Sequence, residues 1–220
     1  MRKMVITIDG PAGSGKSTIG KALADKLQYL YLDTGALYRA LAYKALKIGV
    51  DENDPQQLTD LCEKTKVTLE NIDGKIFVFV DHEDVGNEIR SEEVGLKASK
   101  ISASPIVRTK LLAIQREAGG NGGLVAEGRD MGSVVFPNAD YKFFLDADIR
   151  ERTRRRHDEL LLKHGIADRS AIMKDMQQRD LQDSQREVAP LKVPPNAIII
   201  DTTYLSVSQV LEKMLNHIRV

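Results

Sequence analysis

The chain has 220 residues, of which 42% are apolar and 29% charged, enough for one large α/β domain that buries a core. Lysine plus arginine and aspartate plus glutamate both number 32, and a zero formal net charge argues against a general nucleic-acid coat protein while allowing local basic patches. The single cysteine, Cys62, excludes an internal disulfide and a cysteine-based metal site, and its neighbours Leu58 and Leu61 point to a buried structural thiol.

At the N-terminus, MRK precedes an apolar run too short for a secretory signal, and no run approaches membrane-spanning length. A reducing cytoplasm, with no membrane partner, is therefore the expected setting. Residues 4–9, MVITID, form a short apolar run rich in β-branched residues and predict a strand. GPAGSGKST follows at 10–18, where Gly10, Gly15, Lys16 and Ser17 meet the pattern G-x-x-x-x-G-K-[ST]. In such a loop, glycines let successive backbone N–H groups point inward at phosphate oxygens, and the next helix adds its N-terminal partial charge. Lys16 is expected to reach the β- and γ-phosphates, and Ser17 to hold Mg²⁺. Ile19, Leu23 and Leu27 recur at helical spacing, so strand, loop and helix stand in the required order.

Four further segments predict buried strands that end in polar residues: 29–34, 124–130, 141–147 and 197–203. Helical patterns separate them, as a parallel sheet with crossovers requires. Ligands of such sheets gather beyond the carboxyl ends of the strands, where Asp9, Asp33, Glu127, Arg129, Asp130 and Asp146 fall. Residues 66–80 break the rhythm. Val67 and Leu69, then Ile76, Val78 and Val80, alternate around Asp73-Gly74 and predict an antiparallel hairpin. A helix over about 92–102 should follow, then one opening at Ser104-Pro105 and closing at Gly119-Gly120.

Residues 149–159 carry five arginines. Arg152, Arg155 and Arg156 share one helix face, and Arg150 and Arg154 lie on another. Interleaved Glu151, Asp158 and Glu159 fit a solvated helix, but behind a phosphate loop the run reads better as a lid over a triphosphate. The nearby carboxylates are too few for all its cations, so the lid is expected to be open or disordered until nucleotide supplies charge. A nucleic-acid patch fits less well, because no aromatic residues interleave. Arg179, Asp183 and Arg186 share one helical stripe, and spacing alone leaves open whether they form exposed ion pairs or a polar face toward a substrate. Arg39 after LDTG is either a solvated surface cation or aimed at a second phosphate. Three ionisable residues in EGRD, 127–130, at a strand end are hard to explain by packing. The four histidines share no metal spacing, and neither G-x-S-x-G nor N-K-x-D occurs.

Taken together, IDGPAGSGKST, LDTGALYRAL, EIRSEEV, GRDMGSVVFP, FFLDA and REVAPL closely resemble the bacterial cytidylate kinases, in family order and over essentially the whole chain. The resemblance implies an α/β P-loop NTPase fold with a five-stranded parallel sheet flanked by helices, plus a small antiparallel insertion in the monophosphate-binding region and a lid. It divides the single domain into a core (1–63, 104–148, 188–220), an insertion (64–103) and a lid with its following helix (149–187). It implies transfer of the γ-phosphoryl group of ATP to CMP or dCMP by a monomer with Mg²⁺ as cofactor.

Residue by residue, it implies that Gly10, Pro11, Ala12, Gly13, Ser14, Gly15, Lys16, Ser17 and Thr18 bind ATP phosphates. Thr34 contacts CMP, Arg39 and Arg129 hold its phosphate, and Ser99, Arg108 and Asp130 meet the cytosine. Arg179, Asp183 and Arg186 face sugar and phosphate. Arg155 and Arg156 belong to the lid, and with Lys16 and Arg129 they neutralise the charge being transferred. Ser17 and Glu127 hold Mg²⁺. Relatives often have aspartate where this chain has Glu127. A regulatory GTPase, a nucleic-acid-binding ATPase and a kinase of another metabolite, such as shikimate, are the rival readings.

Overall fold

The computed structural model describes residues 3–218. Five strands, β1 (Val5–Asp9), β2 (Leu30–Asp33), β6 (Leu124–Gly128), β7 (Tyr141–Asp146) and β8 (Ile198–Asp201), make one sheet in the order β2-β6-β1-β7-β8. Every pair in it is parallel. The five-stranded sheet and its helices thus stand as the sequence predicts. Ile6, Ile8, Val125, Phe143 and Leu145 are fully buried and pack with α1 (Lys16–Leu27) and α8 (Val207–His217). Each such side chain contributes about 1.5–3 kcal/mol by leaving water.

A second apolar cluster unites α2 (Thr34–Lys47), α3 (Pro55–Lys64), α4 (Glu92–Ile101) and α5 (Pro105–Ala118) with the hairpin β3 (Val67–Ile72) and β4 (Lys75–Val80). The segment 64–103 therefore shares its core with the helices beside it. The hairpin closes where expected, with Asp73 and Gly74 both at positive φ, as a two-residue turn of this kind demands. A two-residue strand, β5 (Glu83–Asp84), extends this sheet. It was not expected, and neither was α3, which Asp54 caps through the N–H groups of Gln56 and Gln57.

Two details of the expected α5 differ. Ser104 occupies the N-cap position but makes no capping side-chain bond. At the other end Gly119 is right-handed, and the left-handed glycines are Gly122 and Gly123 instead. They are needed there because a Cβ on Gly122 would lie 2.2 Å from the Lys3 carbonyl oxygen. Helices α6 (Ile149–His164) and α7 (Arg169–Gln185) pack on each other before the chain returns to β8. Among the described residues no helix is long and apolar enough to cross a membrane.

Candidate active site

In the loop after β1, three carbonyls are taken by side chains from elsewhere in the chain. Gly13 and Gly15 are left-handed, and Gly10 approaches β7 so closely that a Cβ would lie 2.0 Å from the Leu145 carbonyl oxygen. The Ala12 carbonyl accepts from Arg152 Nη1 at 3.1 Å, Gly13 from Arg155 Nη1 at 3.5 Å and Ser14 from Thr202 Oγ1 at 3.0 Å. Helix α1 begins at Lys16 without a capping side chain, which leaves its N-terminus ready for an anion. Lys16 Nζ donates to the Pro11 carbonyl at 2.6 Å and lies 3.5 Å from Ser14 Oγ. Burial, then the repulsion of Arg129, lowers its ammonium to about 7. Ser17 and Thr18 are exposed on the first turn. A cavity of about 530 Å³ opens beside the loop, with Ser14, Gly15, Thr18, Arg154, Arg155 and Tyr204 among its walls.

The five arginines of α6 do not act as one set. Arg152 is buried, donates from Nε to the Ala147 carbonyl at 2.9 Å and pairs with Asp180 at 2.7 Å. Glu151 takes both Arg154 at 2.8 Å and Arg155 at 2.9 Å, and Asp158 takes Arg154 at 2.8 Å. Arg156 reaches Glu159 at 2.9 Å and Glu92 on α4 at 3.5 Å. The carboxylates near in sequence are indeed shared among several cations, and partners from distant sequence complete the set. One glutamate serves two arginines, while Asp180 and Glu92 come from distant sequence, and residues 149–164 form a continuous helix.

Opposite the loop, the end of β2 and the end of β6 present the second group. Asp33 caps α2 through the Ala36 N–H at 3.2 Å and pairs with Arg39 at 3.4 Å and Arg90 at 3.2 Å. Burial pushes the Asp33 carboxyl up, but the two guanidiniums outweigh it and hold it below the ordinary range. Arg129 donates from Nε to Asp183 at 2.7 Å, and that partner raises it against the opposing effect of burial. Arg179 is the unbalanced member. Its Nε is buried with no hydrogen-bond partner among the described residues, and burial, then Arg129, Arg39 and Arg156, lower it below the usual arginine value. Four guanidiniums therefore converge within electrostatic reach, and Arg129 also acts on Lys16. Such a cluster invites an anion that can accept from several forks at once.

Next to it, Arg108 and Asp130 form a buried ion pair, with Arg186 Nη2 3.8 Å from the other Asp130 oxygen. Arg108 also stacks over the Tyr38 ring, 5.5 Å from its centroid, and donates to the Ser102 carbonyl at 3.2 Å. Arg186 ends α7 rather than continuing it: its backbone is extended, and its Nε donates to the Ala189 carbonyl at 2.6 Å. Asp183 and Arg186 are half-buried and lie 3.6 Å apart, so the stripe is no exposed pair of ions. Ser99 Oγ lies 3.5 Å from Gln182 Oε1, and both line a cavity of about 690 Å³ with Ser102, Asp183 and Arg186. Thr34 is buried and its hydroxyl donates to the Glu127 carbonyl at 2.7 Å. Asp146 stands apart, exposed and accepting from the Ala147 N–H.

Glu127 and Ser17 supply hard oxygen donors to the same region. The Glu127 carboxylate is buried and Coulombically linked to Lys16, and one oxygen accepts from Tyr31 Oη at 2.5 Å. A carboxylate and a hydroxyl beside a phosphate loop fit Mg²⁺, which ordinarily completes its shell with water and substrate phosphates. Sequence reading missed Tyr31, Tyr38, Arg90 and Asp180. Arg90, inside EIRSEEV, and Tyr38, inside LDTGALYRAL, lie in motifs that could have signalled them.

A parallel sheet with a phosphate loop at its carboxyl edge, facing converging arginines, defines the P-loop kinase class. The family model described as cytidylate kinase matches residues 6–220. A cytidylate kinase of Symbiobacterium thermophilum is 46% identical over 219 residues, covering 99% of this chain and 97% of that one. Another from a Geobacillus species is 47% identical over 210 residues, covering 96% and 94%. A solved structure of an uncharacterized protein from Eubacterium ventriosum superposes with a TM-score of 0.51 at 12% identity over 98% of each chain, a likeness of fold alone. The chain belongs to the cytidylate kinase family.

Proposed function

We propose that this protein transfers the γ-phosphoryl group of ATP to CMP or dCMP, giving CDP or dCDP and ADP, with Mg²⁺ as the companion cation. The observation that carries the reading is the arginine cluster. Arg39, Arg129, Arg156 and Arg179, the last with a buried Nε that lacks a hydrogen-bond partner among the described residues, form a cationic pocket across from Lys16. A phosphate acceptor brings a doubly charged group with three oxygens that several guanidinium forks can share, whereas a hydroxyl acceptor with a single carboxylate, such as shikimate, uses fewer of them.

ATP would lie with its phosphates on residues 10–18 and its base toward the cavity beside Tyr204. CMP would place its phosphate among Arg39, Arg129 and Arg179, its sugar toward Asp183 and Arg186, and its cytosine toward Ser99, Arg108 and Asp130. Thr34, whose hydroxyl donates to the Glu127 carbonyl, would contact CMP. An acceptor phosphate oxygen attacks the γ-phosphorus in line, and being already an anion it needs no general base. Lys16, Arg129, Arg155 and Arg156 neutralise and align the phosphates. Mg²⁺ supplies charge neutralisation to the donor phosphates, and Ser17 and Glu127 are the residues that would hold it. The same reading treats 64–103 as the acceptor-side insertion and 149–187 as the lid with its helix, in a cytoplasmic monomer.

The test is ADP formation with CMP, dCMP, UMP or shikimate as acceptor. CMP or dCMP should support turnover at least about a hundredfold better than shikimate. A preference for shikimate or for no acceptor at all contradicts the reading.

A further inference from the structure

The chain after β6 enters a single π-type turn, Met131–Val135, with Asp130 at its N-cap position. An N-cap aspartate ordinarily spends its carboxylate on the N–H groups of the second or third residue of the turn. Asp130 makes no such bond. Its carboxylate is engaged instead by Arg108 and lies 3.8 Å from Arg186. The orphan donors of the turn are taken by a residue more than a hundred positions earlier. The Met131 N–H donates to Asp9 Oδ1 at 2.7 Å, and the Gly132 N–H donates to Asp9 Oδ2 at 2.8 Å.

Asp9 is well placed to hold that turn still. It is fully buried at the end of β1, paired in register with Gly128 of β6 and Phe144 of β7. The turn is seated directly on the same strand, since a Cβ on Gly132 would lie 2.9 Å from Thr7 Oγ1. Asp9 is also the residue before Gly10, so one backbone leads into the phosphate loop while its side chain fixes the turn at the acceptor side. Burial is the main cost of this arrangement and lifts the Asp9 carboxyl to about 6, against the pull of the two amides.

We propose that Asp9 is a positioning residue for base selection: by capping the turn after β6 from outside, it releases the Asp130 carboxylate to face the nucleotide base. The inference rests on the reading that Asp130 meets cytosine. Without Asp9, the Met131 and Gly132 amides lose their acceptor, and the Gly132 amide, second in the turn, is one that an N-cap carboxylate such as Asp130 takes by turning into its own backbone and away from Arg108. A capping residue with only a structural role would weaken CMP and UMP alike. One that frees Asp130 acts on the difference between them.

The experiment measures dissociation constants of CMP and UMP by calorimetry at pH 8 without ATP, for wild type, Asp9→Asn, Asp9→Ser, Asp130→Asn and the double variant Asp9→Asn with Asp130→Asn. Asparagine keeps one acceptor and puts an amide against the other N–H, and serine offers a smaller single acceptor, so either folded variant suffices. Asp9→Asn should narrow the UMP-to-CMP ratio by about fivefold or more. In the Asp130→Asn background it should narrow it no further, because it acts through Asp130. Equal weakening of both nucleotides in the folded Asp9 variants, with a ratio that does move in Asp130→Asn, overturns this inference alone. A ratio that Asp130→Asn itself leaves unchanged overturns the base-reading on which it rests.

Discussion

Asp130→Asn is the substitution with the most to say about base choice. Asp130 is 3% exposed and is held by Arg108, with Arg186 close behind. An ionised carboxylate only accepts and a guanidinium only donates. Cytosine offers a 4-amino donor beside acceptors at N3 and O2, so the pair meets it in register. Uracil sets its O4 acceptor against the carboxylate. Leaving a buried charge unmet costs roughly 2–4 kcal/mol, or about thirty- to a thousandfold in kcat/KM. Asparagine presents both a donor and an acceptor, so CMP activity should fall and the gap to UMP should close by most of that factor. The variant also leaves Arg108 and Arg186 without their shared anion, a loss of about 3 kcal/mol that lowers Tm by roughly 6–12 °C. The assay is kcat/KM for CMP and UMP in wild type, Asp130→Asn and Arg108→Ala, run well below each variant's melting point. A CMP-to-UMP ratio unchanged in both variants refutes the reasoning and moves base choice toward Ser99.

Lys16→Ala should keep the fold and cut turnover about a hundred- to a thousandfold, measured as kcat beside a circular-dichroism melt; near-normal turnover would sink the phosphate-loop mechanism. Because Lys16 is lowered to about 7, it is mostly neutral in the free protein at pH 8, and bound phosphates restore its charge. ATP binding at pH 8 should therefore take up close to one proton, read by calorimetry in buffers of different ionisation enthalpy. The same depression makes the free protein lose stability as pH falls from the ordinary lysine range toward about 7, a slope that Lys16→Met should remove. Arg152→Ala frees the Ala12 carbonyl and leaves Asp180 unpaired, so it should lower Tm and weaken ATP more than CMP in separate titrations. Amide exchange across 149–164 should slow when an ATP analogue and CMP are both bound; equal exchange with and without them counts against a lid.

The parts of this fold that sequence disclosed are those fixed by local chemistry. β1 and β6 are short apolar runs buried along nearly their whole length, and they announce themselves without alternation. The phosphate loop is legible because its backbone needs glycine at Gly13 and Gly15, and the hairpin because Asp73-Gly74 fits a turn with two positive φ values. Helix α3 went unread because its apolar positions, Leu58, Leu61 and Cys62, are few, although Asp54-Pro55 carried the same cap-and-proline signal as Ser104-Pro105. The bonds that assemble the site were beyond local reading altogether. Asp9 to Met131, Tyr31 to Glu127 and Arg129 to Asp183 link positions 122, 96 and 54 residues apart. The arginine run was legible only in part: counting neighbours in sequence could not include Asp180 and Glu92, which only the packing of α6 brings near.

The central claim is that a phosphate of CMP, and not a hydroxyl or another base, receives the phosphoryl group. The direct measurement supplies [γ-³²P]ATP and Mg²⁺ with an equimolar mixture of CMP, UMP and cytidine, and separates the products. The account predicts label in CDP, at least about thirtyfold less in UDP, and none in a product of cytidine. Label appearing equally in UDP, or entering cytidine to make CMP, contradicts it.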